Sequence, residues 1–309
     1  MFPILSGNVA SATAVSGNQE GIFGFGFNGS NYLSMTNLVS NAGVVSTDVS
    51  GVGTNRQNLA GCQYGSGKGI FGYGAAVVSD TTTHYGMTNL VSDSGVVGSD
   101  VSAVGQIRPA LAACSYGEDK GIFGYGESFD SPYQFGMTNL VSNVGVISTD
   151  VTGVGTARQQ LAACEYGDDK GIFGYGHNGS SGVGMTNLVS NVGVVATDTS
   201  VVGTARSGLA ACSYDGDKGI FGYGRNAPYL SMTNLVSNSG VVATDTSGVG
   251  TGRSHLAACE YGGDKGIFGY GWTGSALSMS NLISNSGVAA TDTSGVGTAR
   301  AYLGACSFN

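Results

Sequence analysis

The chain has 309 residues, with 55 glycines, 4 prolines, 41% hydrophobic and only 10% charged residues, and a net charge of −8. Glycine without a three-residue period excludes a collagen rod, and the apolar content excludes a disordered tract. The acidic balance lacks the basic footprint of a nucleic-acid binder, and no run approaches the ~18 apolar residues of a spanning helix, so neither nucleic acid nor membrane insertion is expected.

The first residues, MFPILSGNVA, carry no Lys or Arg and no long apolar core. They read neither as a secretory signal nor as a membrane span. Residues 1–18 read as an N-terminal arm or a degenerate strand, because Ser11 to Glu20 aligns without gaps on the later phrase LAACEYGDDK. Residues 19–309 are six repeats. GIFGYG, or GIFGFG in the first copy, begins at Gly21, Gly69, Gly121, Gly171, Gly219 and Gly266. MTNL, or MSNL in the last copy, begins at Met35, Met87, Met137, Met185, Met232 and Met279. Each Met precedes the next GIF phrase by 34 residues, whereas the gap from GIF to its own Met runs from 13 to 18. One stretch of the repeat is therefore fixed in length and one loop is free. A period near 50 residues marks a propeller or a solenoid.

The fourth copy shows the elements in order. In GIFGYG, period-two alternation predicts a strand with Phe173 and Tyr175 on one face and Ile172 and Gly174 on the other. The free loop HNGSSGVG follows, then the strand MTNLVS, a turn at Asn191 to Gly193, and the β-branched strand VVATDTS. LAACSY, from Leu209, forms the fourth strand, and DGDK turns it into the next GIFGYG as a hairpin. Four short strands per copy predict an all-β fold, a six-bladed β-propeller of four-stranded blades, with a β-solenoid as the alternative. Small residues in LAAC and GIFG place one of these two strands innermost, where blades converge. If LAAC pairs with the following GIF, then Leu303 to Cys306 must reach back to Gly21 to Gly26 and close the ring, in competition with the N-terminal stretch.

The full phrase DKGIFGYG…MTNLVSN.GVVATDTSGVGTAR..LAAC resembles the kelch-like propeller repeats of bacteriophage tail-fibre and other virion proteins, from about Ser11 to Asn309. The resemblance implies a virion component that touches the host surface. It would be made in the host cytoplasm and carried in the virion, with other virion proteins as partners, docked through Met1 to Asn18.

Two kinds of position then compete as sites. Repeated chemistry comes first. Each copy holds an Asp and an Arg eight residues apart: Asp48 with Arg56, Asp100 with Arg108, Asp150 with Arg158, Asp198 with Arg206, Asp245 with Arg253, and Asp292 with Arg300. Sixfold recurrence favours structural pairs over ligand clamps. Cys62, Cys114, Cys164, Cys212, Cys259 and Cys306 occupy one repeat position, too far apart between blades for bridges, and read as buried free thiols. With no CxxC and no recurring histidine, no metal and no cofactor is expected. The repeated methionines read as core filler.

Broken repetition comes second. The free loops hold Tyr32, His84, Tyr85, Tyr133, Phe135, His177, Tyr229 and the only tryptophan, Trp272. All six loops follow the same strand, so they emerge on one side, and loops on a rigid scaffold commonly carry binding. Aromatic rings among small polar residues suit a saccharide or a protein. A second variable spot is the doublet between Arg and Leu, as in Gln159-Gln160 and Ser254-His255, and Arg225 is the one arginine outside the repeat grid. Catalysis has one non-repeat carboxylate pair, Glu127 and Asp130, so no enzyme is expected. The leading expectation is a non-enzymatic receptor-binding propeller contacting host surface glycan. The alternatives are a decoration or adaptor scaffold and, third, a glycan hydrolase.

Overall fold

A computed structural model describes residues 20–102 and 104–308, and the proposed arm at 1–18 lies outside them. The described residues contain no helix. They form six three-stranded antiparallel sheets and one extra two-stranded hairpin, Ala75–Val78 with Thr81–His84, in the longest free loop. This is a β-propeller-like fold.

In each sheet the middle strand is GIF. In the fourth copy Lys170–Gly174 pairs with Ala162–Tyr166 on one side and Thr186–Val189 on the other. The LAAC strands are innermost. Those at Ala60–Tyr64, Ala112–Tyr116, Ala162–Tyr166, Ala210–Tyr214, Ala257–Tyr261 and Gly304–Ser307 each contact the next, and the last contacts the first. Of the two ends that compete in the sequence for the first sheet, the C-terminal one closes the ring, where Gly21 to Gly24 pair with Ser307 to Gly304. Pairing removes the open edge that a strand would otherwise present.

The inner strands lie close because glycine and cysteine share the space between them. A Cβ on Gly171 would sit 2.6 Å from Cys114 Sγ of the neighbouring sheet. All six cysteines are buried and free, as expected. Burial pushes the Cys62 and Cys164 thiols up to about 12, which leaves them protonated and unreactive.

The expected fourth strand is reduced to isolated bridges, such as Thr138 with Val151 and Val141 with Ile147. Side chains interrupt the ladder. Asn139 Nδ2 donates to the Ser148 carbonyl at 3.0 Å and to Asp150 Oδ1 at 2.9 Å, and the Leu140 N–H donates to Ser148 Oγ at 2.9 Å. Asn, Ser and Asp offer the backbone a local alternative to strand pairing.

The face assignment of GIFGYG also needs correction. Tyr175 adopts φ 61° and Gly176 φ 109°, and the same left-handed step recurs from Phe25 to Tyr270. It is a bulge, marked by a register shift in the first and last copies. The bulge turns Tyr175 onto the face of Ile172, where both pack with Phe221 of the next sheet, while Phe173 faces Tyr125 of the previous one. Strict alternation fails because one extra residue reverses the face of every later residue in the strand. The six methionines are half-buried rather than core. The core is six clusters, one between each pair of neighbouring sheets.

Candidate functional site

The free loop leaves the end of each middle strand, and the variable doublet precedes each inner strand. Antiparallel pairing brings these two segments to the same face. The second residue of every doublet takes a left-handed conformation, from φ 53° at Gln160 and His255 to φ 61° at Gly208. A closed belt of backbone hydrogen bonds holds five non-glycine residues there. Asn58 N–H donates to Tyr302, Tyr302 to His255, His255 to Gly208, Gly208 to Gln160, Gln160 to Ala110 and Ala110 to Asn58, all at 2.7 or 2.8 Å. The belt encircles an axial cavity of about 80 Å³.

To one side of that axial mouth a cleft of about 630 Å³ opens, within the range of small-ligand sites. Its walls come from two free loops, through His177 and Ser180 to Gly182 and through Arg225 to Ala227, and from the doublets, through Gln159, Gln160, Ser207, His255 and Tyr302. His255 and Tyr302 stack at 4.0 Å between ring centroids. Burial, then the charge of Arg225, hold His255 down to about 3, so its imidazole is neutral. Burial raises the Tyr302 phenol. Arg225 is exposed and leans over the Tyr229 ring at 5.8 Å. Gln159 Oε1 is buried without a hydrogen-bond partner. No carboxylate lines the cleft.

Of the eight loop residues singled out in the sequence, His177 lines this cleft and Tyr229 flanks it through Arg225. The other six are scattered. Tyr32 packs on Phe27 at 5.1 Å. His84 stacks on Phe129 of the next loop at 3.7 Å and, with Tyr85, lines a separate cavity of about 370 Å³. Tyr133 is exposed and Phe135 half-buried. Trp272 ends its strand, bridged to Ser254. The eight do not form one site. Arg225, Gln159 and His255 were each visible as departures from the repeat, but their convergence with one another and with Tyr302 was not.

The repeated Asp–Arg pairs form with a shifted register. No Arg meets the Asp eight residues before it; each meets the Asp of the following copy. Arg56 reaches Asp100 at 3.8 Å, Arg108 Asp150 at 3.7 Å, Arg158 Asp198, Arg206 Asp245 and Arg253 Asp292 each at 3.9 Å, and Arg300 returns to Asp48 at 3.8 Å. A copy counted from GIF is circularly permuted relative to a sheet, which begins at LAAC, so Asp48 and Arg56 belong to different sheets. The role is structural. Arg158 is fully buried, lies 4.1 Å over the Tyr125 ring, and donates to the Tyr175 carbonyl, the Thr156 carbonyl and Asn187 Oδ1 at 2.8, 3.0 and 2.7 Å. Burial opposes ionisation of Asp198, but hydrogen bonds from Thr156 and Asn187 and the charge of Arg158 outweigh it and hold the carboxyl below its usual value.

At the opposite end of the axis the position after each Cys varies: Gln63, Ser115, Glu165, Ser213, Glu260 and Ser307 line a cavity of about 60 Å³. Burial, then Glu260, push the Glu165 carboxyl up to about 8; burial, then Asp264, push Glu260 up to about 7. A carboxyl raised in the folded state costs stability as pH climbs from its unfolded value, 4.5, through its folded one. The double variant Glu165→Gln/Glu260→Gln is therefore expected to melt several degrees above the parent at about pH 9, with the gap closing towards about pH 4.5. Thermal melts across that range check this; a gap independent of pH would contradict it.

No family model and no curated protein matches the chain. Among solved structures it is similar to one described as "Structure of YjhT", at 13% identity over 81% of this chain and 88% of that one, with a TM-score of 0.62. At that identity the likeness concerns the fold alone. Among the described residues no helix is long and apolar enough to cross a membrane, and no group of three or more His, Cys, Asp or Glu is placed to hold a metal.

Proposed function

We propose that this chain is a six-bladed propeller that binds host surface glycan through its loop face as a non-enzymatic component of a phage virion. The observation that carries the binding reading is the convergence of both variable segments on one polar cleft. Residues that depart from the repeat in sequence, His177, Arg225, His255 and Tyr302, meet in space. Stacked aromatic rings beside amide, hydroxyl and guanidinium groups match a sugar's apolar face and hydroxyl rim. The lining has no carboxylate pair, which glycoside cleavage needs across its substrate. The phage assignment rests on the style of the repeat.

A glycan array with the intact protein tests the reading. Selective binding is expected, and Tyr302→Ala with His177→Ala should reduce it at least tenfold, given that such anchors carry most of the energy. Absence of binding to any saccharide or to host cells, or sugar release that depends on Glu127 or Asp130, would overturn it.

One observation favours the scaffold reading. On the face opposite the loops, the valine after each turn glycine, Val44, Val96, Val146, Val194, Val241 and Val288, is 62% to 65% exposed. A ring of exposed valines is a surface that another virion protein would cover. Mapping the chain within the assembled particle decides which face is covered.

A further inference from the structure

The basic side chains of this protein are almost wholly paired off. Six arginines and four lysines, ten of the twelve basic side chains, lie within 4 Å of an aspartate. Among the described residues Lys68 and Arg225 have no such partner. Lys68 is exposed in a hairpin whose acidic turn residues are replaced by Gly65, Ser66 and Gly67, on the face away from the loops. Arg225 stands in the cleft, which no carboxylate lines.

The rest of the cleft wall complements that charge. His255 is neutral, so it adds no second cation and, with Tyr302, presents a stacked apolar surface. Gly208, at φ 61°, leaves room for the His255 ring: a Cβ there would lie 3.0 Å from His255 Cε1. Ser180, Ser181, Ser207 and Asn226 complete the lining with uncharged polar groups. In a chain of net charge −8, this wall is a local inversion of the field that would draw an anionic group inward.

The geometry points to an acidic saccharide as the ligand, its carboxylate or sulfate held by the Arg225 guanidinium in the cleft. This rests on the glycan-binding reading above and makes Arg225 its specificity-determining residue. Guanidinium donors match either anion bidentately, which a lysine does not.

Titrating the full chain with trigalacturonate, a sulfated galactotriose and neutral galactotriose, followed by NMR, tests it and separates the two anions. At least one acidic trisaccharide is expected to bind ten- to a hundredfold more tightly than the neutral one, the range of a charge-assisted hydrogen-bond pair. Arg225→Gln should erase that preference. Lys68→Gln removes the same net charge from the other face and should leave the preference intact. Equal binding of all three sugars, or a preference that survives Arg225→Gln or falls equally with Lys68→Gln, would overturn the inference while leaving glycan binding standing. Absence of binding to all three, with binding to other glycans on the array, would overturn it as well; absence of any saccharide binding would remove the glycan reading itself.

Discussion

Arg158→Ala is expected to destabilise the protein by about 3–5 kcal/mol, the cost of breaking a buried charge network from one side. The substitution removes three hydrogen bonds at once and leaves the Tyr175 carbonyl and Asn187 Oδ1 buried with no donor. It also takes the guanidinium from over the Tyr125 ring, which belongs to the neighbouring sheet, and so weakens an inter-sheet contact. Arg158→Lys should recover little, because an ammonium cannot reach the fork of acceptors that a guanidinium spans. Chemical denaturation of the two variants and the parent measures the loss. Equal stability of Arg158→Lys and the parent would mean that charge alone, and not the fork, holds the site.

Removing residues 303–309 is expected to abolish cooperative folding. The deletion takes away the inner strand that pairs with Gly21 to Gly24, together with Leu303, Cys306 and Phe308 from two of the inter-sheet clusters. It opens the inner edge of the glycine-rich Gly21–Phe27 strand, the geometry that leads to edge-to-edge association. This seam is the natural breaking point, since Arg300 Nε lacks the acceptor that Nε finds in the other five repeated arginines. Circular dichroism and light scattering on the truncated chain check this. A monomer with the parent's transition would show that the ring is dispensable to the sheets.

Much of the architecture was legible because repetition is a sequence property. The strands and their hairpins derive from the spacing of GIF, MTNL and LAAC, whereas the structure decided that LAAC rather than GIF is innermost and that the C-terminal end closes the ring. The fourth strand was not legible, because the β-branched run from Val146 to Val151 reads as a strand in sequence, and the side-chain hydrogen bonds of Asn139 that intercept the ladder appear only once the segments face each other. Nor was the orientation of Tyr175, which depends on a left-handed bulge that composition does not announce in a residue as bulky as tyrosine.

The candidate site divides the same way. Sequence by itself determined which positions are free of the fold, since a residue that differs among six equivalent copies is not needed to build any of them. That reasoning named His177, and it marked Arg225, the Gln159-Gln160 pair and His255 as exceptions. Only the tertiary structure decided which exceptions belong together. Antiparallel pairing puts the start of one strand beside the end of its neighbour, and a closed belt of six backbone hydrogen bonds sets successive doublets side by side. Tyr302 and His255, 47 positions apart in the chain, are therefore ring to ring, while Trp272 and Tyr133 stay apart from the cleft. The partner of each arginine was settled in the same way, because a sheet starts at LAAC rather than at GIF and the ring returns Arg300 to Asp48.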